Sequence, residues 1–168
     1  MKIIVNDANI LIDLVELKIL SYFFQLEFEF HATALVFEEL AEEQKEKFYF
    51  YIETGKLIID NNSESDLSEI NIIQKGKSTL SVQDCSAFYQ AKKGHAALIT
   101  SDNSLRKFAK INKIEVHGHL WVFDNLFEKS ILSGITAIEK LNELCNTVNP
   151  KLGLPKKECQ TRIKLWSK

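Results

Sequence analysis

An α/β fold with a mostly parallel central sheet is predicted by three features of the sequence. Short apolar runs without polar alternation, Lys2 to Asn6, Lys56 to Asp60 and Ala96 to Thr100, have the character of strands buried on both faces. Longer stretches between them carry apolar residues at helical spacing. The two kinds of segment alternate, as strands joined by helical crossovers do. A chain of 168 residues, 45% hydrophobic and 26% charged, can bury one sizeable core.

Ile3, Ile4 and Val5 make the first strand, and Ile10-Leu11-Ile12 through Ile19-Leu20 has the apolar density of a helix packed on a sheet. Phe28-Glu29-Phe30 alternates and predicts a strand leading to His31. Thr33 can cap a helix running through Leu35, Val36, Phe37 and Leu40 into the charged run from Glu42 to Lys47. After the Thr54-Gly55 break and the strand ending at Asp60, a polar loop opens a helix to about Gln74. Ser81 starts another that ends near Gly94, and the clearest strand, Ala96 to Thr100, precedes a short helix from Leu105 to Ile111. Ile114 to His117 closes at Gly118, and the rest reads as helical pieces broken at Gly134, Pro150 and Pro155. We expect one domain over 1–168, with a core of about 1–130 and a helical extension of about 131–168.

No apolar run has the length to span a bilayer. The first seven residues include Lys2 and Asp7 and have no signal-peptide character, so a cytoplasmic protein without membrane contact is expected. Three scattered cysteines outside any CxxC spacing argue against zinc and disulfides. His117-Gly118-His119 could chelate, but such a pair around a turn is more often structural. Net charge is −2, yet residues 150–168 hold six basic groups against one acid. That tail can contact phosphates or be a solvated helix face docked through Ile163, Leu165 and Trp166. Phe48-Tyr49-Phe50-Tyr51 could stack bases, although core or dimer packing is the commoner use of such a run.

Four acidic positions carry the chemistry: Asp7, Glu39 with Glu38 beside it, Asp84 and Asp102. Asp7 and Asp102 follow strands, where the loops of an open parallel sheet form the binding crevice. Each acid also has a plain structural explanation. Asp7 and Asp102 can cap the helices after them. Ser81-Val82-Gln83-Asp84 fits a capping box, with Leu80 and Cys85 as its hydrophobic staple. Asp84 nevertheless shares a stripe with Ala87, Phe88 and Ala91, where a carboxylate needs a partner. Glu39 can be an exposed acid on an amphipathic helix, like Glu42 and Glu43, yet it edges the stripe of Leu35, Val36 and Leu40, and periodicity barely separates it from Glu38. Gathered together, such carboxylates would suit Mg²⁺ or Mn²⁺, hard cations that prefer oxygen donors.

The chain resembles the PIN-domain ribonuclease family through four stretches in order: Val5-Asn6-Asp7-Ala8-Asn9-Ile10-Leu11, Leu35 to Leu40, Leu80 to Asp84, and Leu98-Ile99-Thr100-Ser101-Asp102. Together they cover about residues 2–117. The first and last are the more specific. The resemblance implies a three-layer α/β/α sandwich and an acidic pocket. It assigns Asp7, Glu39, Asp84 and Asp102 as metal-binding and catalytic carboxylates, with Glu39 preferred to Glu38 by the family's Glu-Leu pairing. Asn9, Thr100 and Ser101 match the auxiliary polar positions. The implied activity is Mg²⁺- or Mn²⁺-dependent endoribonuclease cleavage leaving 5′-phosphate and 3′-hydroxyl ends. Bacterial members of this kind, VapC-like, act as toxins of toxin–antitoxin pairs, so a small antitoxin partner and a homodimer are also implied.

Ions in such a site activate water and stabilise the leaving oxygen. Crowded carboxylates repel one another without them, so some should titrate high. The alternative reading is a non-catalytic PIN-like scaffold that binds nucleic acid or protein. A phosphoryl-accepting receiver domain fits poorly, because it needs an acidic pair at the first strand, where this chain has Asn6-Asp7, and a late lysine.

Overall fold

Strand β1 (Ile3–Asn6) pairs in parallel with β2 (Glu29–Thr33) on one side and β4 (Ala97–Ile99) on the other. β3 (Leu57–Asp60) and β5 (Val116–His117) form the edges, giving the order β3-β2-β1-β4-β5. The computed structural model describes all residues, 1–168. Every pairing is parallel. Right-handed crossovers therefore place the helices after β1 and β2 on one face and those after β3 and β4 on the other. The result is an α/β/α sandwich.

Helices α1 (Ala8–Glu16) and α2 (Leu20–Phe23) link β1 to β2; α3 (Ala34–Phe37), α4 (Glu42–Glu46) and α5 (Tyr49–Glu53) link β2 to β3. Next come α6 (Glu64–Gly76) and α7 (Val82–Lys93) before β4, and α8 (Asn103–Ile111) before β5. The chain closes with α9 (His119–Glu128), α10 (Gly134–Glu143), one π-helical turn (Leu144–Val148) and α11 (Lys156–Trp166).

The middle of the chain departs from its periodicity in two places. The helix expected to reach Leu20 stops at Glu16, because Lys18 takes a left-handed conformation (φ 58°) and redirects the chain into α2. The helix expected from Thr33 to the charged run is two short ones. Bonds from Glu39 N–H to Val36 O (3.1 Å) and Leu40 N–H to Phe37 O (3.2 Å) tighten the end of α3. Ala41 is then extended, and Gln44 Oε1 accepts its N–H (3.0 Å). Both breaks put apolar residues (Leu17, Ile19, Leu40) into the core from turns, which a pure helical period misses. β2 runs on to Thr33, since it has a partner on each side: Ile3 faces Glu29 and Thr33 faces Asp60.

The aromatic run divides. Phe48 is wholly buried and Tyr51 stacks on Phe24 (centroids 4.3 Å), whereas Tyr49 and Phe50 are exposed. The two tail histidines also part: His117 stacks on Trp121, and His119 is buried beside Asp13.

Helix α11 closes over α9 and α10 through Trp166, whose ring lies against Phe123 and Phe127. A Cβ at Gly134 would collide with the Trp166 carbonyl. Gly134→Ala should therefore cost about 1–3 kcal/mol and loosen α11. Denaturant melts and a red shift of tryptophan fluorescence check this.

Candidate functional site

The path of the chain reverses at β1, with β2 on one side and β4 on the other, and a crevice opens beyond their carboxyl ends. Asp7 is the first residue after β1. It caps α1, with Oδ1 accepting from Ala8 N–H (2.8 Å), and Oδ2 accepts from the Thr100 hydroxyl (2.7 Å). Thr100 follows β4, and its Oγ1 also accepts from Asp102 N–H (3.0 Å). One buried hydroxyl thus ties both strand ends together.

Asp102 caps α8 through Oδ1, which accepts from Leu105 N–H (2.7 Å). Asp84 forms the expected box, with Ser81 N–H donating to its Oδ2 (2.9 Å) and its own N–H donating to Ser81 Oγ (3.0 Å). The Thr33 and Ser86 hydroxyls, 2.7 Å apart, hold α7 against the start of α3. Glu39 enters from the turn after α3.

All four acids, together with Asn9, Ser81 and Ile12, line one cavity of about 300 Å³. The capping and pocket readings coexist because they use different atoms. Asp84 Oδ1, Asp102 Oδ2 and both Glu39 oxygens have no hydrogen-bond partner in the protein. Glu38 turns outward instead, accepting from Lys45 Nζ (2.9 Å). If the cavity is the ribonuclease site that the resemblance implies, Glu39→Gln should lower RNA cleavage by about 100-fold, whereas Glu38→Gln should stay within about twofold of wild type in a single-turnover assay.

Burial pushes the Asp7 carboxyl up from 3.8 to about 6, the Thr100 hydrogen bond offsets part of that, and the charges of Asp84 and Glu39 raise it further. Partial burial and the Asp84 charge raise Glu39 as well. Asp7 and Glu39 therefore both feel the charge of Asp84 across the cavity. No three His, Cys, Asp or Glu side chains are drawn together into a ready-made cage. The donor set nonetheless fits a hard divalent cation: it is all oxygen, and four of those oxygens lack protein partners.

Of the auxiliary residues, Asn9 lines the acidic cavity and Thr100 lies buried behind Asp7. Ser101 faces a neighbouring cavity on the other side of the same loop. Sequence reasoning passed over Asn6, which is fully buried. Its Nδ2 donates to His31 O (3.0 Å), and its Oδ1 has no partner. An amide ending an otherwise apolar strand was the available signal.

A parallel sheet of this order, with an acidic cavity at its carboxyl edge, defines a class of α/β domain. The family model that matches residues 3–166 is described as PIN domain. The chain belongs to the PIN-domain family. None of the curated proteins matches it. Among solved structures it is similar to a chain in the crystal structure of FitAcB from Neisseria gonorrhoeae. The two are 16% identical, with a TM-score of 0.42, over 67% of this chain and 95% of that one.

Proposed function

We propose that this protein is a metal-dependent endoribonuclease that hydrolyses RNA phosphodiester bonds in the acidic cavity. The supporting observation is that carboxylates from four separate segments, at Asp7, Glu39, Asp84 and Asp102, line one cavity at the switch point of a PIN-family sheet. These four would hold Mg²⁺ or Mn²⁺. Bound there, the ions supply Lewis-acid activation of water and offset charge on the phosphate under attack. Thr100 holds Asp7 in place through its hydroxyl, so the acid reaches the cavity without rotamer freedom. Ser81 and Asn9 add a hydroxyl and an amide to the wall, both able to bond phosphate oxygens. Around this centre we place one PIN-like domain over 1–168, with the tail from about 131 packed onto it.

The proposal extends to a toxin-type role in the cytoplasm, with a small antitoxin partner and a homodimer. No helix is long and apolar enough to cross a membrane. The second reading is a PIN-like scaffold without catalysis, favoured by the acids not being gathered into a cage. Incubating a labelled RNA mixture with Mg²⁺, Mn²⁺ or EDTA separates the two. Cleavage that needs the ion supports the nuclease. RNA binding without cleavage under every ion supports the scaffold, and full cleavage in EDTA sinks the metal-dependent mechanism.

A further inference from the structure

A second cavity, of about 360 Å³, lies across the 101–103 loop from the acidic one. Ser101 and Asn103 face it, while Asp102 between them lines the acidic cavity. Its lining includes Arg106, Gly118, His119 and the 152–155 loop, and contains no carboxylate.

Arg106 is half-buried and pairs with no acid, unlike the chain's other arginine, Arg162, which is held by Asp124 and Glu158. Its Nη2 donates to Thr100 O (2.8 Å) and His117 O (3.1 Å), leaving Nε and Nη1 without protein partners. A partly desolvated guanidinium with donors to spare is a built position for an oxyanion. Gly118 makes the position possible, because a Cβ there would stand 2.6 Å from Arg106 Nη2.

Gly118 also begins α9 with no side-chain cap, and the amides of His119, Leu120 and Trp121 find no partner in the protein. An independent observation points the same way. His119 is 3% exposed and lines the cavity; its Nε2 bonds Asp13 (2.8 Å), and its Nδ1 has no partner. The bond to Asp13 pins the start of α9, so its free amides are fixed where they meet the cavity. A guanidinium edge with free donors beside uncapped helix amides is what a backbone phosphate requires. Exposed Lys151, Lys156 and Lys157 flank the outer loop.

We propose that this cavity is a phosphate subsite, holding a backbone phosphate of the RNA beside the one cut in the acidic cavity. The proposal rests on the nuclease reading above. It assigns Arg106 as the phosphate-binding residue, with the α9 amides as its helpers.

Two measurements in EDTA, where nothing is cleaved, test it. Inorganic phosphate titrated into the ¹⁵N-labelled wild type should shift the amides of His119 and Leu120. Neither shift should occur in Arg106→Gln or in Pro155→Glu, which adds an acid at the exposed rim and leaves Arg106's strand-end bonds alone. Fluorescence anisotropy with a short single-stranded RNA should show about tenfold weaker binding for each variant, and a salt slope lower by about one for Arg106→Gln. Should Arg106→Gln fail to fold, Pro155→Glu decides.

Unmoved amides overturn the subsite. Phosphate shifts with unchanged RNA affinity in the folded variants overturn its assignment to RNA. Both effects persisting in a wild type that cleaves no RNA with Mg²⁺ or Mn²⁺ support the subsite and remove the nuclease reading alone.

Discussion

Asp7→Asn and Asp102→Asn should each lower ion-dependent RNA cleavage by about 100-fold or more, with both proteins still folded. Each substitution keeps the oxygen needed to cap its helix, since Asn caps as well as Asp. Each removes a negative charge from a cavity whose proposed work is to hold cations. Loss of activity with retained circular dichroism would tie cleavage to the carboxylates and not to the caps. Cleavage surviving both substitutions would place the chemistry elsewhere or in a contaminant. The pH profile should agree. With Asp7 pushed up to about 6, protons compete with ions at the site, so activity at limiting Mg²⁺ should fall as pH drops through about 6. Raising the ion concentration should move that limb to lower pH.

Asp7→Asn should also make the ion-free protein more stable at neutral pH. The folded protein holds the Asp7 proton more tightly than the unfolded chain, at about 6 against 3.8. Between those values the folded state binds more protons, so stability falls as pH rises through the window. Above it the buried charge costs about 3 kcal/mol, an amount that Asn does not incur. Allowing for an imperfect bond to Thr100, the variant should gain about 1–3 kcal/mol in EDTA at pH 7.5, or about 5 °C in melting temperature. The difference should vanish near pH 4. Saturating Mn²⁺ should reverse the order, because an ion held by the folded wild type adds stability that the variant lacks. A variant less stable than wild type in EDTA would contradict a costly ionised Asp7.

Much of this fold is legible in the order of residues alone. Ile3-Ile4-Val5 and Ala97-Leu98-Ile99 announce buried strands by lacking alternation, and the structure places them side by side in a parallel sheet. The box at Ser81 and Asp84 and the caps at Asp7 and Asp102 form as local spacing implies, since they depend on atoms only a few residues apart. The breaks at Lys18 and Glu38–Ala41 are hidden from such a reading. Nothing local at Lys18 demands a positive φ; the turn exists because Leu17 and Ile19 must both reach the core.

The sequence by itself determined the α/β class, the strand ends that bear Asp7 and Asp102, and the supply of oxygen donors. All of these follow from short-range periodicity and residue chemistry. Only the tertiary structure put Glu39 in the cavity and turned Glu38 out to Lys45, because that depends on which way one turn faces after α3 ends. It alone separated Ser101 from the acidic cavity and made Thr100 the link between two strand ends 93 residues apart. It also left Arg106 with spare donors beside an uncapped helix. Such facts depend on where distant segments meet, and helical or strand period carries no record of that.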